Sequence, residues 1–159
     1  MYMNNQYPQQ PVQQPEQQYV VQAPPSPVGQ LDTHRGLLKF ILLSAITFGI
    51  YALVVMSKIS TDINVIASRY DGKKTMHYCL LFFIIQEITF GIGALVWYNN
   101  ISARIGNELQ RRGINYSFSA GTYWGWGFFG TFIGVGPLVY VHKLCKAMNL
   151  LSEHYNMYG

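Results

Sequence analysis

Three long stretches of the sequence carry almost no charge, and this feature most restricts what the chain can fold into. Residues 40–57 and 113–142 contain no Lys, Arg, Asp or Glu. Residues 75–103 contain a single charge, Glu87. Because a bilayer core of ~30 Å is crossed by about 20 helical residues, each stretch is long enough for one membrane span. The sequence therefore predicts an all-α integral membrane protein with three transmembrane helices, near residues 37–57, 77–98 and 123–143.

The composition supports this class of protein and excludes others. Charged residues make up 11% of the chain, against ~25% in soluble domains, and hydrophobic residues make up 50%. The net charge of +4 comes from scattered basic residues, which suits anionic lipid headgroups better than nucleic acid. We find no arrangement of nucleophile and base, and the two cysteines form no Cys-x-x-Cys motif. The sequence therefore predicts no enzymatic activity, no metal site and no cofactor.

The first 34 residues differ from the remainder of the chain. They hold nine Gln and six of the seven prolines, and their apolar residues are isolated. Such a composition buries too little apolar surface to offset the entropy of the chain. We expect a disordered tail over residues 1–34 and a membrane domain over residues 35–159.

A nine-residue motif occurs twice along the chain. Ile-Thr-Phe-Gly-Ile-Tyr-Ala-Leu-Val at residues 46–54 and Ile-Thr-Phe-Gly-Ile-Gly-Ala-Leu-Val at residues 88–96 are identical at eight of nine positions. A looser third copy, Gly-Val-Gly-Pro-Leu-Val-Tyr, occupies residues 134–140. The sequence therefore predicts an internal repeat of three units.

Each copy of the motif leads into an amphipathic stretch. The apolar residues recur in steps of three and four, which places them on one helix face. They are Ile59, Ile63 and Ile66, then Ile101, Ile105 and Leu109, then Leu144, Met148, Leu151 and Tyr155. Each helix is expected either to lie along the membrane interface or to pack on its neighbours.

The centre of the motif suggests a break in the helix. The hydroxyls of Thr47 and Thr89 can bond to a carbonyl one turn earlier, and Gly49 and Gly91 tolerate the resulting bend. Two geometries stay open: each unit crosses the membrane, or one or more units enter it and return. With three crossing helices the basic residues divide five against six between the two sides, so the positive-inside rule gives no orientation.

The third apolar stretch is rich in helix-breaking residues. Gly130 and Gly134 have the Gly-x-x-x-Gly spacing that allows close helix contact, within the molecule or between copies. Pro137 removes one backbone hydrogen bond and is expected to kink the helix.

Glu87, next to Gln86, lies near the middle of the second predicted span. A charge at the bilayer centre costs roughly 2.5–3.5 kcal/mol on insertion scales, so Glu87 should face protein or water. It is interpreted as a proton or cation site, or as a polar lock between helices with Thr47, Thr89 or Thr131. A protonated carboxyl bonded to the backbone, or a shallower position in the membrane, stays possible.

The repeat also resembles a known family. The run Thr-Phe-Gly-Ile-Tyr at 47–51, the Trp-Tyr pair at 97–98 and the closing Met-Asn-Leu-Leu at 148–151 resemble a bacterial membrane family known as domain of unknown function 4234. The resemblance covers about residues 35–156. The common form of the family has Leu in place of Phe48 and an aromatic residue in place of Val55. The resemblance implies a membrane topology and no catalytic activity.

Together these observations favour a non-enzymatic interaction or scaffold protein of the bacterial inner membrane, with several membrane passes. Its expected partners are the lipid bilayer and another membrane protein or a second copy of the chain. The alternative is a small transporter or channel subunit that uses Glu87.

Overall fold

The computed structural model describes residues 26–159. Within that range 75% of the residues are helical and no strand occurs, so the all-α fold class is confirmed. Residues 1–25, most of the predicted tail, lie outside the described residues.

Six helical segments follow one another in the described part of the chain. They are α1 (Leu37–Ile46), α2 (Ile50–Asp71), α3 (Tyr78–Ile88), α4 (Ile92–Arg111), α5 (residues 120–133) and α6 (Gly136–Tyr158). Two segments are irregular: α3 contains a π-helical stretch over Leu81–Ile85, and α5 passes from α-helix to π-helix and then to 3-10 helix.

Consecutive segments pair into three helical hairpins, α1–α2, α3–α4 and α5–α6, which we call hairpins 1, 2 and 3. In hairpin 1 Arg35, just before α1, forms an ion pair with Asp62 of α2. In hairpin 2 the hydroxyls of Tyr78 and Tyr98 are 2.9 Å apart. In hairpin 3 the rings of Tyr123 and Tyr140 lie 5.5 Å apart. These contacts between residues on either side of each turn show that the chain reverses there. We call the turn of each hairpin its tip and the opposite end its base.

The reversals change the expected topology. Each predicted span is divided at a tip into two helical arms, so none of the three is a single continuous helix. The 10 residues of α1 extend ~15 Å at ~1.5 Å per residue, about half of a bilayer core. In the described range α2 alone is long and apolar enough to cross a membrane.

The second arms, α2, α4 and α6, run parallel to one another. Near the tips the rings of Tyr98 and Tyr140 lie 5.9 Å apart, and near the bases Arg112 bonds to His154. The guanidinium of Arg111 likewise lies 3.5 Å from the centre of the Tyr70 ring, which joins α4 to α2. The three tips therefore lie at the same end of the molecule.

The lower halves of these three helices enclose the hydrophobic core. All ten apolar residues that the amphipathic spacing predicts to share a face are buried there: Ile59, Ile63, Ile66, Ile101, Ile105, Leu109, Leu144, Met148, Leu151 and Tyr155. Of the two expected arrangements, the helices therefore pack on their neighbours.

A short N-terminal segment is bound to α6. The side chain of Asn156 bonds to both N–H and C=O of Leu31, and Asn149 bonds in the same way to Arg35. The N–H of Val28 donates to the Tyr155 hydroxyl. Residues 28–34, which composition assigns to the disordered tail, are thus bound to the helical part of the chain by side chains more than 100 residues away.

Buried charges join the bases of the hairpins. Arg104 donates to Asp71 and also to the side chains of Asn64, Ser68 and Thr75. This network fixes the loop between hairpins 1 and 2 against α4.

Glu108 forms a second charged group at the base. Its carboxylate accepts hydrogen bonds from Arg111 at 2.5 and 2.9 Å and from Arg112 at 2.7 Å. Desolvation raises the pKa of Glu108, but the bonds from the two arginines outweigh it and hold the pKa below its ordinary value.

Gly130 packs inside hairpin 3. A Cβ added at Gly130 would lie 2.7 Å from Cα of Gly136, and a Cβ at Gly136 would overlap the backbone of Gly130. Gly134 sits at the tip with φ +85° and no atom within 4 Å of a built Cβ. The Gly-x-x-x-Gly pair therefore does not form one packing face, and the close contact of Gly130 is within the molecule.

We predict that Gly136→Ala destabilises hairpin 3, because the methyl group meets backbone that has no room to move. Overpacking of this kind costs about 1–3 kcal/mol. Thermal unfolding of the detergent-solubilised chain measures the effect. The matched control is Gly125→Ala, since a Cβ at Gly125 meets nothing within 4 Å. Equal unfolding temperatures for the two variants would contradict the packing.

The lowered pKa of Glu108 predicts a loss of stability in acid. A carboxyl with a lowered folded pKa stabilises the fold above its unfolded value, near 4.5, and loses that contribution as the pH falls through the folded pKa. Glu108→Gln should cost about 3 kcal/mol at neutral pH and flatten the acid dependence. Unfolding of both proteins in detergent between pH 7 and pH 3 measures this. If the stability of the variant fell with pH as steeply as that of the original protein, other carboxyl groups would be responsible for the loss of stability in acid.

Candidate functional site

The three hairpin tips form the candidate functional site. Tips 1 and 2 have the same sequence, Thr-Phe-Gly, at residues 47–49 and 89–91, and tip 3 has Thr-Phe-Ile-Gly at residues 131–134. Buried core residues begin six residues after each tip glycine, at Val55, Trp97 and Tyr140. The three tips therefore project by the same distance from the shared core.

Each of tips 1 and 2 is held by a threonine hydroxyl. Thr47 Oγ1 donates to the carbonyl of Leu43 at 2.6 Å and accepts the N–H of Tyr51 at 2.9 Å. Thr89 makes the same two bonds, at 2.6 and 2.9 Å, to Ile85 and Gly93. The hydroxyl thus bonds to the last turn of one helix and to the first turn of the next, as the predicted bond to the preceding turn requires.

The backbone of these tips satisfies the carbonyls at the end of the first arm. The N–H of Gly49 donates to Ser44 O at 2.7 Å, and the N–H of Phe48 donates to Ala45 O at 3.4 Å. This is the Schellman pattern of a helix C-terminus, in which the residue after the cap adopts a left-handed conformation. Tip 2 repeats the pattern, with Gly91 donating to Gln86 O at 2.9 Å.

A phenylalanine occupies the left-handed position where glycine is usual. Phe48 has φ +50° and Phe90 has φ +48°. A left-handed conformation costs a residue with a Cβ roughly 1–2 kcal/mol. Yet the two residues are 98% and 96% exposed, so no side-chain contact within the described fold offsets that cost. Such an outlier points to a role outside the fold itself.

Further apolar side chains surround the two phenylalanines. Ten large apolar residues are exposed at or next to the tips: Ile46, Phe48, Ile50, Ile88, Phe90, Ile92, Phe129, Phe132, Ile133 and Val135. An exposed apolar surface of this extent at one end of a molecule marks a site of contact with a membrane or a partner.

Pro137 begins a helix instead of kinking one. It occupies the first turn of α6, directly after tip 3. Its missing N–H would have no partner within the helix at that position. The predicted kink is therefore wrong, and the proline assists the reversal.

Glu87 lies on the exposed surface of α3, four residues before the glycine of tip 2, and Gln86 beside it is half-buried. The structure does not bring Glu87 together with Thr47 or Thr89, because both hydroxyls are engaged in their own turns. Within residues 26–159 Glu87 forms no ion pair.

The sequence reasoning missed Phe48 and Phe90. It singled out the threonine and glycine of each motif as the cause of a bend and passed over the residue between them. The available signal was that this large apolar residue is identical in both copies of the motif.

Comparison with known proteins concerns the first two hairpins. Residues 35–107 match the family model described as Domain of unknown function (DUF4234). No curated protein and no solved structure matches the chain. The matched range includes both Thr-Phe-Gly turns and ends four residues before the end of α4. Over residues 35–107, which cover hairpin 1 and most of hairpin 2, the chain is similar to the DUF4234 family.

Proposed function

We propose that this protein is a non-enzymatic membrane anchor and scaffold that inserts three hairpin tips into one leaflet of a bilayer. The helical core then stands at the membrane surface, where it can hold partner proteins and the N-terminal tail. The exposure of Phe48 and Phe90 in a strained left-handed conformation carries this proposal. Insertion into lipid gives both side chains the apolar environment that the fold does not provide.

The length of the first arms supports insertion to about half the depth of the bilayer. Arm α1 extends ~15 Å, and a hydrocarbon core measures ~30 Å. A turn at that depth must have its backbone groups satisfied, since no water is present to do so. The threonine hydroxyls and the Schellman bonds supply those partners.

The positions of the charges agree with this depth. Lys58 and Lys143 each follow a tip glycine by nine residues, which is ~14 Å along a helix. With the tips near the midplane, both ammonium groups reach the headgroups. Glu87 is the exception, and its cost of roughly 2.5–3.5 kcal/mol is outweighed by ten apolar tip residues at about 0.3–0.6 kcal/mol each.

The alternative topology has three segments that cross the membrane. It requires the two arms of each hairpin to straighten into one helix, and thereby to break contacts such as Arg35 with Asp62 and Tyr78 with Tyr98. Insertion as hairpins keeps these contacts. The resemblance to a bacterial membrane family makes the inner membrane the proposed location.

We predict that Phe48→Asn with Phe90→Asn reduces membrane insertion at least 100-fold, since each buried Phe contributes about 1.5–3 kcal/mol. Asparagine favours the left-handed conformation, so the solubilised variant should unfold at the same or a higher temperature. Co-flotation of cell-free synthesised chain with phosphatidylcholine vesicles measures insertion. The matched control is Val65→Asn, an exposed residue in the lower half of α2, which should leave flotation unchanged. Full flotation of the double variant would exclude the tips as the anchor.

Cysteine labelling separates the two topologies. We replace both native cysteines (Cys79→Ser, Cys145→Ala) and introduce Lys74→Cys or Asn115→Cys, in the exposed loops after hairpins 1 and 2. Hairpin insertion predicts that a membrane-impermeant maleimide labels both positions from the same side. Three crossing helices predict labelling from opposite sides, which would overturn the hairpin topology.

A further inference from the structure

A long groove runs along hairpin 2 from its tip towards its base. Its volume is about 920 Å³, at the upper end of the range for ligand sites. The helix α4 forms one wall, and α3 and the loop between hairpins 1 and 2 form the other. We call this feature the hairpin 2 groove.

The wall of the groove changes character along its length. Near the tip it is apolar and is lined by Ile85, Ile92 and Val96. Farther down the same face of α4 come Asn100 and Asn107, whose exposed amides can donate hydrogen bonds. The groove therefore fits a ligand with a long apolar part and a polar end.

The polar end of the groove is cationic. Four basic residues line it, Lys73, Lys74, Arg104 and Arg111, together with the acids Asp71 and Glu108. The two acids are already paired, Asp71 with Arg104 and Glu108 with Arg111.

Two positive charges at this end have no acidic partner. Lys73 and Lys74 are exposed and form no ion pair within residues 26–159. Two ammonium groups next to hydrogen-bond donors can bind a phosphate group.

The dimensions match one leaflet of a bilayer. The carbonyl of Lys73 accepts a 2.6 Å hydrogen bond from Arg104, which follows Ile92 by 12 residues, or ~18 Å along α4. Half of a bilayer with headgroups measures ~20–22 Å. When the tip lies near the midplane, the two lysines therefore reach the depth of lipid phosphates.

We propose that the hairpin 2 groove binds one anionic phospholipid, with an acyl chain along Ile85, Ile92 and Val96 and its phosphate at Lys73 and Lys74. The inference rests on the proposed membrane insertion and adds a specific site to it. Charge complementarity selects an anionic lipid over a zwitterionic one, and the continuity of the groove with the apolar tip selects a lipid over a soluble phosphate.

Trp97, which lines the groove, reports on its occupancy. In the full chain with Trp124→Phe and Trp126→Phe it is the sole tryptophan. We titrate the detergent-solubilised protein with phosphatidylglycerol or phosphatidylcholine, each with brominated acyl chains that quench tryptophan fluorescence on contact. Half-maximal quenching should need roughly 30-fold less phosphatidylglycerol, about fivefold per lysine. The K73A/K74A variant should lose this preference.

The matched control is R69A/K146A, which removes the same charge from two exposed positions outside the groove and should keep the preference. The proposed site would be wrong if the two lipids quenched the fluorescence equally. It would also be wrong if both double variants lost the preference for phosphatidylglycerol to the same extent. Displacement by inorganic phosphate at constant ionic strength would also overturn it, since the site would then be one for a soluble anion. If only the lipid site is wrong, the protein still floats with phosphatidylcholine vesicles. If the proposed membrane insertion is wrong, it does not float with them.

Discussion

The reversal of the chain at the three tips is the constraint on which the remaining structure depends. A helix that ends inside an apolar environment exposes carbonyls that nothing there can satisfy. Thr47 and Thr89 solve this locally, because each hydroxyl bonds to both arms, and the Schellman bonds occupy the freed carbonyls. The backbone groups of the turn are therefore hydrogen-bonded within the turn itself, and hairpins are possible where continuous helices would otherwise be expected.

Parallel second arms follow from the three reversals. Since each arm leaves its tip in the same direction, the amphipathic halves come together and bury one core at equal distances from the tips. The same geometry brings charged residues together at the bases, where Arg104 and Glu108 form buried networks. The exposed apolar tips and the charged networks of the bases thus lie at opposite ends of the molecule.

The sequence predicts the core well and the topology poorly, for a physical reason. A face such as Ile59, Ile63 and Ile66 is set by local periodicity, which can be recognised without the fold. A glycine in an apolar run is compatible both with a bend and with a full reversal, so local pattern does not decide. The deciding contacts are distant: Arg35 meets Asp62, 27 residues away, and Asn156 meets Leu31, 125 residues away. The close contact of Gly130 with Gly136 could not be predicted from the sequence either, because it forms only when the chain reverses at the tip of hairpin 3.

The distribution of basic residues indicates a membrane orientation under the proposed hairpin insertion, whereas it indicates none with three crossing helices. Alternating sides divide the 11 Lys and Arg residues five against six, which favours neither orientation. Hairpins that enter and return place every one of them on the side of the bases, and leave none on the other side. The positive-inside rule then favours a cytoplasmic location for the bases. Residues 31–35 lie on that side too, because Asn149 and Asn156 bind Arg35 and Leu31 to α6.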